Sequence, residues 1–431
     1  MDDSEHGGLS LRQSCGLIVP LKFPGSHMDF HITGTAGQVR TGTIRTQDAH
    51  LETPHLLPVV NFYCGGTKRS LFGGGIFRTL KEFVTNDAAV TFGNDYSPYF
   101  KAVMTSISSL TDFSINQTRF QDYLSTPLKQ RPEFESFSGA LFVDSGGYKI
   151  LQEGSLTGTN FSLDVDQQTA YGLQRGFGAD IAVNLDSPLS PEDTYRQRLK
   201  KMETTVGYAE EFAQLSNSAT ETRYLTLHGY TQSMLARYLD IVDRVLPQRL
   251  DKWFDGIAIG SLVPLRNNPD RLVRAIRAVK HLLHDRQLDH LPIHVFGISG
   301  QTMPLLACLG VDSFDSASYL HSAINGTYFT SFFDSVQLSE APFEECSCPV
   351  CSTPALVSRM HGDAEYQKDI LGPVAMHNLI IQKQALQELR DQVLLGDPDQ
   401  LAEYLERKYR NRRLQKTALR VINDTLRPII Q

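Results

Sequence analysis

Three cysteines fall in one short run, Cys346-Ser-Cys348-Pro-Val-Cys351, and His377 follows 26 positions after the last of them. Three thiolates and an imidazole at this spacing predict a closed tetrahedral zinc site. A closed site is structural, because catalytic zinc keeps one position for water or substrate. Zn2+ would then staple the fold near residue 350, and the chemistry must lie elsewhere. His377 is preferred to His361 as the fourth ligand. It sits in the apolar stretch Val374-Ala-Met-His-Asn-Leu-Ile-Ile, which reads as a helix start, whereas His361 lies in the polar run Arg359-Met-His-Gly-Asp-Ala. The bland alternative, buried free thiols or a redox pair, rests only on the general tendency of cysteine to be buried.

The candidate chemistry is carried by carboxylates. Asp144, Asp186 and Asp315 each close a short apolar run, and those runs belong to a longer series. Eight β-branched, apolar segments alternate with helix-like stretches: 55–60, 88–92, 140–144, 181–186, 223–228, 256–260, 293–297 and 313–316. This alternation predicts an α/β fold with a parallel sheet, and eight repeats predict a (β/α)8 TIM barrel. Amphipathic intervals at 191–215, 232–245, 269–283 and 363–394 supply outer helices, and the zinc-binding segment becomes an insertion in the last βα connection.

A barrel carries its site at the C-terminal ends of its strands. The residues expected there are Asn61, Asn94 with Asp95, Asp144, Asp186, His228, Ser261, Ser299 and Asp315. One terminal Asp is unremarkable as a turn residue or helix N-cap, but three converging on one mouth argue for function. In Asp144-Ser-Gly146-Gly147-Tyr148, two residues without side chains let backbone approach a ligand closely. Gly260-Ser261 can offer amide N–H groups to a carbonyl oxygen, so a flat heterocycle would fit. Two carboxylates facing one anomeric carbon, about 5 Å apart, are the machinery of retaining glycosyl chemistry.

The 431 residues are 41% hydrophobic and 21% charged, which gives ample core. No run approaches the roughly 18 apolar residues of a membrane span, and a cytoplasmic location is expected. Cys15, Cys64 and Cys308 are scattered, which suits a reducing compartment better than a disulfide framework. A net charge of −7 gives no global attraction to polyanions, so any nucleic acid must meet a local patch, and Lys408, Arg410, Arg412, Arg413, Lys416 and Arg420 supply one. The expected organisation is a loosely ordered arm over 1–27, a barrel over 28–395 with a zinc subdomain at about 340–380, and a basic helical extension over 396–431.

Several segments resemble the tRNA-guanine transglycosylases: Gly37-Gln-Val-Arg-Thr-Gly-Thr-Ile-Arg with Leu51-Glu-Thr-Pro, Val143-Asp-Ser-Gly-Gly-Tyr, Asp255-Gly-Ile-Ala-Ile-Gly-Ser-Leu, Gly310-Val-Asp-Ser-Phe-Asp-Ser-Ala, and the cysteine motif with Met376-His-Asn-Leu. The resemblance implies a zinc-containing barrel and a pentosyltransferase that swaps guanine in nucleic acid for a 7-deazaguanine such as preQ0. It implies that Asp315 is the nucleophile at C1′, that Asp144 moves protons as general acid and base, and that Asp186, Gly260 and Ser261 read the base. His228, Asn94, Asp95, Gly146 and Gly147 complete the expected substrate contacts.

The sequence departs from the family pattern at Asn94-Asp-Tyr-Ser-Pro98, at His228 where the family carries Gln, and at Ser318-Tyr-Leu-His-Ser322. With about 36 residues after the last matched helix, these departures look like the branch that inserts 7-deazaguanines into DNA. DNA is therefore expected ahead of tRNA as partner, with an ATPase helper conceivable for opening a duplex. Phe62, Tyr96 and Tyr99 are candidate stacking platforms, with core packing as the bland alternative, and Leu71-Phe72-Gly-Gly-Gly75 is a candidate lid. Two other readings compete: a non-catalytic nucleic-acid-binding subunit, which should lack one of the three aspartates, and an unrelated barrel hydrolase acting on oligosaccharides.

Overall fold

In a computed structural model of the protein, described for residues 29–46, 49–62, 77–111, 115–216 and 221–426, the chain begins with three antiparallel strands, β1 (Asp29–Ala36), β2 (Val39–Arg45) and β3 (His50–Thr53). The expected arm over 1–27, Cys15, Cys64 and the glycine run before Ile76 lie outside the described residues. The barrel strands follow as β4 (His55–Pro58), β5 (Ala102–Ser106) and β6 (Ala140–Asp144); after a small hairpin, β7 (Leu156–Gly158) and β8 (Phe161–Leu163), come β9 (Ile181–Val183), β10 (Thr222–His228), β11 (Gly256–Gly260), β12 (Ile293–Val295) and β13 (Ser313–Ser316).

All eight barrel strands are parallel, in the order β4-β13-β12-β11-β10-β9-β6-β5. A parallel bridge between Val59 and Met104, with the Val60 amide donating to the Met104 carbonyl at 2.8 Å, joins the two edges. The fold is a (β/α)8 barrel, nearly closed at this seam. After β13 the chain forms a second hairpin, β14 (Thr327–Phe329) with β15 (Ser335–Gln337), then the cysteine segment, before the 28-residue helix Gln367–Leu394.

Strand periodicity determines which side chains enter the barrel, because alternate residues face opposite sides. Leu57, Ala102, Met104, Ala140, Phe142, Ile181, Val183, Tyr224 and Ala258 form one buried cluster inside it, while Leu56, Val103, Leu141, Val143, Ile257 and Ile259 pack outward against the helices. Counting on by two from the inward set reaches Ser106, Asp144 and His228 at the upper ends of β5, β6 and β10. The same phase gives Asp315 on β13, opposite Leu57.

The N-terminal sheet closes the other end, where Ile44 and Leu51 join the inner cluster. Arg40 on β2 fixes this floor: its Nε lies 3.0 Å and its Nη2 2.5 Å from the two carboxylate oxygens of Asp312, and Nη2 also donates to the Leu291 carbonyl at 3.1 Å.

The helices expected around the barrel appear as Tyr195–Leu215, Gln232–Val245, Pro269–Asp285 and Gln367–Leu394. Thr194 and Gln197 form a capping box at the first, and Asn268 caps the third ahead of Pro269.

One expected strand is not a strand. Residues Asp87–Phe92 form a helix, with Asp87 in its first turn and Gly93 at φ 79° closing its end, and the second barrel strand is β5 instead. Val90 on that helix is 92% exposed, which no inner strand would allow. No helix among the described residues is long and apolar enough to cross a membrane.

The C-terminal segment forms helices Pro398–Lys408 and Arg412–Val421. Leu401, Leu405, Tyr409 and Val421 are buried, and Tyr409 donates to the Gln301 carbonyl at 2.8 Å. Half of the basic set is committed inside the molecule: Lys408 pairs with Glu388 at 2.7 Å, Arg410 with Asp334 at 3.5 Å and Arg420 with Asp270 at 3.1 Å. Arg412, Arg413 and Lys416 point to solvent.

Candidate functional site

The upper end of the barrel brings Asp144, Asp186, His228, Ser261 and Asp315 together. Asp144 is the last residue of β6, and its Oδ2 accepts from the Ser106 hydroxyl at 3.1 Å and the Gly146 amide at 3.0 Å. Burial, followed by the nearby Asp186 charge, pushes its carboxyl up to about 7, with Asp315 adding to the effect and the two hydrogen bonds opposing it. Near neutrality this group can therefore either give or take a proton.

Asp186 lies three residues beyond β9. The ladder ends at Val183 because the Asn184 side chain takes over the pairing, accepting from the Thr226 amide at 2.8 Å and donating to the Thr226 hydroxyl at 2.7 Å. Asp186 Oδ1 accepts from the Ser145 hydroxyl at 3.2 Å, and Oδ2 lies 3.1 Å from His228 Nε2. On the other side of that imidazole, Nδ1 is 2.9 Å from the Ser261 hydroxyl oxygen, which itself accepts from the Leu189 amide at 2.8 Å. The Leu189 amide uses one lone pair of the Ser261 hydroxyl and leaves its O–H available to donate to Nδ1. In that arrangement the ring N–H is the one on Nε2, on the Asp186 side.

A second chain of the same kind supports Asp315. The Gly297 amide donates to Asp315 Oδ1 at 2.8 Å, and His294 Nε2 stands 3.3 Å from the same oxygen. His294 Nδ1 is 2.9 Å from the Ser313 hydroxyl, and the ring is completely buried against Phe142 and Phe296. The sequence reading passed over His294 and Ser106. Their signal is faint: one polar residue in the apolar run Ile293-His-Val-Phe, and a serine at the end of a strand placed elsewhere.

The glycines have a different local reason from the one expected. A Cβ at Gly147 would lie 1.9 Å from Asp186 Oδ1, and one at Gly260 would lie 2.6 Å from His228 Cε1. Both positions make room for side chains of the site itself. Gly146, at φ 70°, adopts a turn that L-residues resist.

Asn94 and Asp95 are not brought to this mouth by a strand. Asn94 donates to the Thr353 hydroxyl at 2.8 Å, tying the loop to the cysteine segment, and Asp95 accepts from the Ser97 amide at 2.9 Å. Two of the expected stacking aromatics are core residues: Phe62 packs on Phe134 and Phe137, and Tyr96 packs on Phe83.

The Cys346, Cys348 and Cys351 sulfurs and a His377 ring nitrogen all lie within 4.8 Å of one another. His377 Nδ1 is 3.7, 3.4 and 3.5 Å from the three sulfurs in that order. Tetrahedral zinc with ordinary Zn–S and Zn–N bonds has an S···N edge of about 3.6 Å, so the donor set fits such an ion. The other ring nitrogen, Nε2, lies 2.7 Å from the Phe329 carbonyl, which fixes the tautomer that leaves Nδ1 for a metal. His361 instead packs edge-on against Phe343.

The family model described as queuine tRNA-ribosyltransferase matches residues 105–413. Among curated proteins, the tRNA-guanine(15) transglycosylase of Methanosarcina mazei is 28% identical over 316 residues, covering 73% of this chain and 55% of that protein. The protein of the same name from Korarchaeum cryptofilum is 30% identical over 262 residues, 60% of this chain and 41% of that one. The one from Haloarcula marismortui is 26% identical over 404 residues, 89% and 71% respectively. The chain spans about half the length of the first two relatives.

Proposed function

The chain belongs to the queuine tRNA-ribosyltransferase family, and from that premise we propose that it is a base-exchange pentosyltransferase that removes guanine from nucleic acid and installs a 7-deazaguanine. The observation that carries this reading is the convergence of Asp144, Asp186 and Asp315 at one mouth, with the Asp144 carboxyl held up to about 7 by burial and by the other two. A non-catalytic subunit has no use for all three.

Asp315 attacks C1′ of the target nucleoside as the C1′–N9 bond breaks, and the bonding electrons leave with guanine. Asp144 protonates the departing base. In the second half, Asp144 takes the proton from the ring nitrogen of the incoming base, which then displaces Asp315 from C1′. Two inversions give net retention, and the proton is returned, so no ATP or nicotinamide is consumed. Asp186, held by Ser145 and His228, offers carboxylate oxygens to the N–H and amino groups of the base. Zn2+ is the proposed occupant of the cysteine–histidine group, with a structural role outside the reaction.

The nucleic acid is best read as tRNA, because the relatives carry that substrate in their names. DNA is the second reading, favoured by His228 and by the divergent Asn94–Pro98 and Ser318–Ser322 segments, and it alone would call for an ATPase helper. Mass spectrometry of nucleosides from tRNA and genomic DNA, in cells with the intact gene and with Asp315→Ala, decides the matter. Loss of a 7-deazaguanine from tRNA supports the first reading and loss from DNA alone the second. Unchanged levels in both would reject base exchange.

A further inference from the structure

Far from the carboxylates, at the end of the barrel where the strands begin, a cavity of about 230 Å3 opens between His55, Lys101 and the outer helix residues Lys383 and Arg390. Lys383 and Arg390 are seven residues apart, two turns along one face of the helix Gln367–Leu394. Lys101, just before β5, adds a third cation. Among the described residues the one carboxylate lining the cavity, Glu52, is 59% exposed and only reaches Arg390 at 3.9 Å.

The donors here outnumber the acceptors. Among the described residues, Lys383 Nζ has one neighbouring acceptor, His55 Nε2 at 3.5 Å, so at least two of its N–H bonds are unspent. Arg390 donates from Nη1 to the Pro54 carbonyl at 2.7 Å and from Nη2 to Gln387, while its Nε is sealed from solvent and, among the described residues, has no hydrogen-bond partner, so it lends charge to the cavity and not a reachable donor. Burial, with Arg390 and Lys101 nearby, pushes the Lys383 ammonium down to about 7. Burial, with Lys383 and Arg390 beside it, pushes the His55 imidazole well below its usual range. Like charges gathered in a desolvated hollow are costly unless an anion joins them.

We propose that this cavity is a binding site for a phosphate-type oxyanion, supplied either by a phosphodiester of bound nucleic acid or by free phosphate, with Lys383 Nζ as its principal donor and Arg390 and Lys101 adding positive charge. A Lys ammonium suits a tetrahedral oxyanion as a compact charge. The site is independent of the base-exchange reading.

The test uses the full-length protein and inorganic phosphate as probe, read by calorimetric titration and by the unfolding temperature at matched ionic strength in chloride. The wild type should bind phosphate saturably and gain stability as phosphate rises. Lys383→Met, which keeps the side-chain volume without the charge, should bind at least tenfold more weakly while unfolding in chloride no earlier than the wild type. Anisotropy of a labelled single-stranded oligonucleotide separates the sources. Binding that phosphate competes away and Lys383→Met weakens identifies a backbone phosphodiester, whereas binding indifferent to both identifies free phosphate. No saturable phosphate binding to the wild type, or equal binding to Lys383→Met, overturns the proposal, and neither result bears on base exchange.

Discussion

The imidazole of His294 stands 3.3 Å from Asp315 Oδ1, the same oxygen that receives the Gly297 amide. One carboxylate oxygen of the proposed nucleophile is thus occupied, and Oδ2 is left as the attacking atom. Asp315→Asn is expected to reduce base exchange by at least about a thousandfold while metal content and circular dichroism stay unchanged. His294→Gln, acting only through Asp315, should lower kcat about tenfold with KM for the base unchanged. Exchange by Asp315→Asn at more than a hundredth of the wild-type rate would exclude Asp315 as the nucleophile.

Asp144 makes stability depend on pH in a direction opposite to that of a salt-bridged aspartate. Its folded carboxyl titrates near 7 against 3.8 for the free group, so the folded state holds the extra proton between those values. This group's penalty is absent below about pH 4, grows as pH rises and is complete above about 7, where it amounts to no more than about 4 kcal/mol. Asp144→Asn should therefore unfold at a higher temperature than the wild type at pH 8, with the gap closing toward pH 4. Thermal unfolding at both pH values checks this, and an equal gap at the two would remove the cause assigned to the shift.

His228 Nε2 stands 3.1 Å from Asp186, and Ser261 lies behind it against Nδ1. His228→Ala frees the carboxylate to rotate, and the expected result is a roughly tenfold rise in KM for the incoming base with a smaller change in kcat. Ser261→Ala should do the same to a lesser degree, because it reaches Asp186 only through the His228 ring, although the Leu189 amide also loses its acceptor. A fall in kcat alone would mean that His228 acts on the reacting atoms instead.

Removal of the metal should be felt as loss of fold. His377→Ala is expected to lose most of the bound zinc, measured by atomic emission, and to unfold well below the wild type, whereas His361→Ala should keep one zinc per chain. A zinc-replete His377→Ala protein would contradict the ligand set.

The exposed cations on the helix Arg412–Val421 offer a cleaner test of nucleic-acid contact than truncation does, since deleting the segment also strips the buried Leu401, Leu405, Tyr409 and Val421 from the barrel. Replacing Arg412, Arg413 and Lys416 with Glu should weaken binding and flatten its dependence on salt by roughly one unit of slope per lost phosphate contact. Unchanged affinity at low salt would make this face merely solvated.

The sequence made the barrel legible because most inner strands are compact, largely apolar runs, and one such as Ala140–Asp144 also carries a polar residue at its upper end. It misled at Ala88–Phe92, where β-branched residues lie on a short, exposed helix whose end is set by Gly93, while the true strand ends in the less conspicuous Met104-Thr-Ser106. His294 stayed hidden because its partners, Ser313 and Asp315, lie on the neighbouring strand, about twenty positions along the chain. Asn94 reaches Thr353 across 259 positions, a pairing that no local pattern contains. At Gly147 and Gly260 the bulk that an added Cβ would meet is that of Asp186 and His228.

Arg40 and Asp312 are 272 positions apart, and the salt bridge between them joins the floor to the residue that immediately precedes β13. During synthesis, Arg40 emerges from the ribosome long before its counter-ion is made. The floor cannot seal, nor can β4 find its neighbour β13, until the 272 positions that follow Arg40 have been translated. Barrel closure is in that sense a late event, and the strand whose arrival completes it is the one that carries Asp315.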